Sequence, residues 1–114
     1  MKLKKTYKDI NPELLYDEVR DFVLKQGATL GEAKLQTYSL PGGSSHICRG
    51  TLVFKMRGQG GKAERECVTI HIVGSAVGET KMILDIDEEL FPIANVSALQ
   101  EDLDFIFGSC EVRQ

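Results

Sequence analysis

Residues 46–87 read HICRGTLVFKMRGQGGKAERECVTIHIVGSAVGETKMILDID, and a two-residue hydrophobic period runs through three successive parts of this stretch. Leu52, Phe54 and Met56 alternate with Arg49, Thr51, Val53, Lys55 and Arg57. Val68, Ile70 and Ile72 alternate with Cys67, Thr69, His71 and Val73. Met82, Leu84 and Ile86 alternate with Ile83 and Asp85. Successive side chains of a strand point to opposite faces, so this period predicts strands over 46–57, 64–74 and 81–87 with their even residues buried. A slip of one residue would turn each apolar set to water, so the pattern fixes the parity of pairing.

The same period extends back to 29–40, with Ala33 and Leu35 as the expected buried pair and Glu32, Lys34, Gln36 and Tyr38 outside. The strands are separated by 41–45 (PGGSS), 58–62 (GQGGK) and the stretch from Gly74 to Thr80. Connections this short favour an antiparallel meander, because parallel neighbours need long crossovers. The expected register sets Glu32 beside Lys55 and Tyr38 beside Arg49.

Outside the meander the period changes. Asn11, Pro12 and Glu13 spell a helix start, Leu15, Val19, Phe22 and Val23 form one apolar stripe, and Gly27 supplies a left-handed stop. This predicts a helix over 12–26. A second is predicted over about 98–107, started by the Ser97 and Gln100 capping box, with Leu99, Leu103, Ile106 and Phe107 as its stripe and Gly108 as its end. Residues 2–8 predict a lysine-rich strand. If it lies beside 81–87, Lys4 or Lys8 falls near the acids Asp85 and Asp87. The order β-α-β-β-β-β-α predicts an α+β fold of two layers, an antiparallel meander sheet with both helices on one face. Its element order resembles that of helix-grip and TBP-like domains, in which a curved antiparallel sheet wraps a helix. That resemblance implies a fold and no activity.

A chain of 114 residues fits one domain, 1–114, and buries enough surface for a core without staples. Fourteen basic against 17 acidic residues give a net charge of −3, which argues against nucleic acid as a partner. No apolar run approaches the ~18 residues of a membrane span. The first ten residues, MKLKKTYKDI, lack a signal peptide's apolar core, and three cysteines cannot all pair within one chain. Reduced thiols and a cytoplasmic location are expected.

Most chemical motifs fail on parity. His46, Cys48, Cys67 and His71 are residue types that zinc accepts, but His46 and Cys48 are expected inward or at the strand's start, and Cys67 and His71 outward. Ligands on opposite faces cannot meet at ~2.3 Å from one ion, so no metal site and no Cys48–Cys67 disulfide is expected. Cys67 and His71 share a face but lie about 13 Å apart along a strand, too far for a nucleophile and its base. The loop 58–63 ends in Gly-Lys-Ala but has Met56 where the phosphate loop needs its first glycine, and Ala63 where it needs Ser or Thr. Asp85 and Asp87 share parity and are expected to face solvent.

What remains is a small non-catalytic domain that binds through its free sheet face. Its expected contact residues are Tyr38, Arg49, Thr51, Val53, Cys67, His71, Val73 and Ile83. The expected occupant is a protein partner or a second copy, and no cofactor is implied. Two alternatives stand beside this reading. One is a helix-grip pocket for a small apolar ligand, lined by Phe54, Met56, Met82, Phe91 and Phe107. The other is a thiol-based enzyme or redox protein using Cys67, with Lys55 nearby to lower its pKa.

Overall fold

The computed structural model describes residues 1–39, 41–42, 46–57, 63–75 and 77–112. It contains β1 (Lys2–Lys8), α1 (Pro12–Lys25), β2 (Thr29–Ser39), β3 (His46–Arg57), β4 (Glu64–Gly74), β5 (Glu79–Ile86) and α2 (Ile93–Phe107), with a short 3-10 turn at Gly108–Cys110. All strand pairs are antiparallel, and the sheet order is β1-β5-β4-β3-β2. The fold is α+β, a meander whose first strand returns to flank the last.

The helix α1 starts where its capping residues place it. The Asn11 side chain accepts from the Glu13 N–H at 2.9 Å, Pro12 follows, and Gly27 stands at φ +96° just beyond the end. Leu15, Val19 and Val23 are fully buried, while Phe22 is only half-buried. The second helix differs from expectation. It begins at Ile93, one turn before Ser97, and Pro92 is its N-cap with no side-chain capping bond. The Pro92 carbonyl accepts from Asn95 and Val96 at 2.9 and 3.1 Å. Burial of Leu90, Phe91 and Val96 draws this extra turn into the helix, which outweighs the weaker preference of Ser97 for a cap. The buried stripe is Val96, Leu99, Leu103 and Phe107, and Ile106 lies 44% exposed instead of inside.

Both stripes join one core cluster with Leu52 and Phe54 of β3, Val68, Ile70 and Ile72 of β4, and Met82, Leu84 and Ile86 of β5. These even residues are buried, as the period requires, whereas Met56, expected with them, is only half-buried at the margin of the cluster. The helix α1 lies over β3 and β4, and Phe107 of α2 meets Tyr7 of β1 edge-on at 5.8 Å. Helix α1 lies mainly over β3 and β4 and leaves β2 largely open. All eleven residues of that strand are exposed, including Ala33 and Leu35, which were expected inside. They do share the helix side, opposite Leu52 and Gly50, and Leu35 approaches the point over Gly50 where Tyr16 of α1 also lies, yet it stays 39% exposed.

Two bulges reset the register. At Gly31 the pairing jumps from Leu30↔Phe54 to Glu32↔Val53, and beyond it Tyr38 faces Ile47 and Arg49 faces Gln36. The expected pairs Glu32–Lys55 and Tyr38–Arg49 are thus displaced by two residues, and the ladder's last pair is Ser39↔His46. A second shift occurs between Phe54↔Val68 and Lys55↔Glu66, leaving Cys67 as the extra residue.

Candidate functional site

Across the helix-free face, β-pairing lines up three rows. Glu32, Val53, Thr69, Asp85 and Lys2 form one, Lys34, Thr51, His71, Ile83 and Lys4 the next, and Gln36, Arg49, Val73, Lys81 and Thr6 the third. Of the expected contact residues, Arg49, Thr51, Val53, His71, Val73 and Ile83 therefore fall on contiguous positions of three neighbouring strands. Thr51 and His71 sit opposite one another, with Oγ1 and Nδ1 3.4 Å apart. Ile83 and Val73 are 37% and 39% exposed, which is high for aliphatic side chains in central strands. Tyr38 lies at the edge, 49% exposed, with its hydroxyl donating to Gln36 Oε1 at 2.6 Å. The sequence reading missed Ile47, which stands half-buried opposite Tyr38, and Lys4, which flanks Ile83. The parity of Ile47 was readable from its strand, but which residues these two flank needed the register of the partner strands.

Cys67 departs from expectation. The bulge turns it inward, where it is 1% exposed and part of the core cluster. Burial pushes its thiol up to about 11, ahead of backbone hydrogen bonds that pull the other way. A reactive thiol needs the thiolate and access, and this position supplies neither. Cys48 is also buried, with its thiol raised by burial and then by the negative charge of Glu13.

The four metal-type residues do not converge. Cys48 pairs with Gly74, seven positions from Cys67, or about 23 Å at strand spacing. His46 is exposed beside Ser39, with Oγ and Nδ1 3.3 Å apart, and His71 is exposed on the outer face. Among the described residues no group of three or more His, Cys, Asp and Glu side chains is placed to hold a metal ion. The loop 58–62 lies outside the described residues. Asp85 is exposed in the sheet opposite Lys2, whereas Asp87 lies past the strand end and accepts from the Glu89 N–H at 3.0 Å. The base nearest Asp85 in register is therefore Lys2, not Lys4 or Lys8, and Lys8 faces Glu79.

Of the side chains expected to line an apolar pocket, Phe54, Met82, Phe91 and Phe107 are packed in the core cluster. Met56 instead borders an open groove of about 570 Å³ with Gly27, Thr29, Arg57, Glu64 and Leu90. A charged pair at the rim and one thioether make it a poor match for a purely apolar ligand. Among the described residues no helix is long and apolar enough to cross a membrane. No family model, curated protein or solved structure matches this chain.

Proposed function

We propose that this chain is a small non-catalytic binding domain that docks a protein partner on the helix-free face of its sheet. One observation carries the reading. Val73 and Ile83 stay more than a third exposed at the centre of a face that no described helix covers, beside Thr51 and His71 and ringed by Arg49, Lys81 and Lys4. An apolar centre with a polar, cation-rich surround is the anatomy of an interaction surface. The three unpaired thiols, Cys48, Cys67 and Cys110, suit a reducing compartment such as the cytoplasm.

The test is site-specific photocrosslinking in an extract of the source cells. A benzophenone side chain replaces Ile83 in one protein and the exposed Ala94 of α2 in another. A discrete product from position 83, absent from position 94 and lost on Val73→Asp, is the expected result. No discrete product at 83, or the same products from both positions, would overturn the reading.

A further inference from the structure

The two edges of the sheet are protected very differently. Along β1, lysines stand at positions 2, 4, 5 and 8, and a later segment closes on the strand. Tyr7 bridges to Glu111, and the Val112 N–H donates to the Thr6 carbonyl at 2.8 Å. Charges and a covering segment keep an edge from templating another strand. By contrast, β2 carries one lysine, no proline and a single bulge at Gly31 near its start. It ends the sheet, and Leu35 and Tyr38 are 39% and 49% exposed along it.

We infer that β2 pairs antiparallel with β2 of a second copy, about a two-fold axis through Ala33. Residues facing each other across an antiparallel pair share a face, so the axis must pass through a residue. Past the bulge, Glu32, Lys34, Gln36 and Tyr38 take the outer face, and Ala33, Leu35 and Thr37 the helix side. An axis through Ala33 sets each Glu32 opposite the second copy's Lys34. Glu32 and Lys34 already meet within one chain, Oε1 to Nζ at 3.2 Å, so the pairing encloses four alternating charges. On the helix side Ala33 meets its own copy. An axis through Lys34 would set lysine against lysine, and one through Leu35 would match no charges. The contact is a strand edge with a few side chains, below the roughly 1,200 Å² of a standard interface, so the dimer is reversible.

This contact lies at the β2 edge of the outer face, with β3 between it and Val73 and both β3 and β4 between it and Ile83, and the experiment keeps it apart from the partner surface proposed there. Sedimentation of the purified chain up to about 1 mM reads the dissociation constant, the concentration limit being set by how weak so small an interface is. Glu32→Lys and Lys34→Glu each change two symmetry-related contacts, and each is expected to weaken the dimer about tenfold at low salt. The double change E32K/K34E restores complementarity, and is expected to return the constant to within about threefold of the parent. Ile83→Glu is expected to leave it unchanged. Both side chains are solvent-exposed, so the variants retain the fold, which their thermal unfolding checks. A chain that stays monomeric at 1 mM overturns the inference while leaving the outer-face reading intact. So does a dimer that the double change fails to restore, or one broken by Ile83→Glu and not by Glu32→Lys.

Discussion

Glu18 of α1 and Asp102 of α2 bring two carboxyl groups together across the seam between the helices. Their hydrogen bond is the leading cause that raises the Glu18 pKa, ahead of burial and the negative charge of Asp102. The Asp102 Oδ2 atom is buried, and neither carboxylate has a proton to donate once both are ionised. The bond therefore exists only while one of them holds a proton.

The sign of the pH dependence follows. Folded Glu18 keeps its proton to a higher pH than unfolded Glu18, so the folded state binds more protons between the two values. The stability this group contributes is full below the ordinary glutamate range and is lost as pH rises through the raised folded value. Glu18→Gln keeps a donor toward Asp102 at every pH. It is expected to stabilise the protein at pH 7 by up to about 1 kcal/mol and to have little effect at pH 4. Urea unfolding at the two pH values measures both.

Gly50 is required by Tyr16. A Cβ on Gly50 would stand 2.7 Å from Tyr16 Cδ2, because the α1 ring lies directly on this point of β3. Gly50→Ala is expected to destabilise by about 1–3 kcal/mol through overpacking. The same change in a Tyr16→Ala background should cost much less, and a double-mutant cycle by chemical denaturation gives the difference.

The fold was legible because the central strands repeat one strong signal. Leu52, Phe54, Ile70, Ile72, Leu84 and Ile86 are buried on both neighbours' evidence at once, so parity could be read strand by strand. Register was not legible in the same way. Glu32 opposite Lys55 is good chemistry, but where β2 slides along β3 is set by the bulge at Gly31 and by how far the ladder runs toward the turn. Neither leaves a mark in the hydrophobic period. Burial of β2 was misread for a related reason. Ala33 and Leu35 have the right parity, yet parity says which side a residue faces and not whether a helix lies over it. The candidate face inherits both strengths and faults. Thr51, His71 and Ile83 align because their strands are central, while Cys67 was misplaced by one bulged residue.

That bulge has a chemical consequence. With its thiol pushed up to about 11 and 1% exposed, Cys67 is almost wholly protonated at neutral pH and shielded from reagents. Alkylation of the native protein at pH 7.5 is expected to label the half-buried Cys110 first and leave Cys67 unmodified, with all three thiols reacting in denaturant. Peptide mapping by mass spectrometry follows each site. Native labelling of Cys67 ahead of Cys110 would mean the bulge does not hold it inside.

The Asn11 cap gives an independent check on α1. Its side chain holds the Glu13 N–H at 2.9 Å, and the helix carries Leu15, Val19 and Val23 into the core. Asn11→Ala is expected to cost about 1 kcal/mol, with Asn11→Asp near neutral because the carboxylate accepts the same bond at the positive end of the helix. Thermal unfolding distinguishes the two.

Neighbouring residues of β5 test the two-faced sheet most directly. Ile83 is 37% exposed on the outer face, and Leu84, one position on, is 1% exposed in the core. Leu84→Ala removes buried methyl groups and leaves a cavity, with an expected loss of about 2–5 kcal/mol. Ile83→Thr keeps a β-branched side chain that suits a strand and gives up little buried surface, so its expected change is within about 1 kcal/mol. Val73→Thr on β4 should behave like Ile83→Thr, since its methyls are as exposed. Chemical denaturation of the three variants reads the contrast. If Ile83→Thr and Val73→Thr cost as much as Leu84→Ala, the outer face would be covered in solution by further chain or by a second copy, and the surface proposed for a partner would already be occupied.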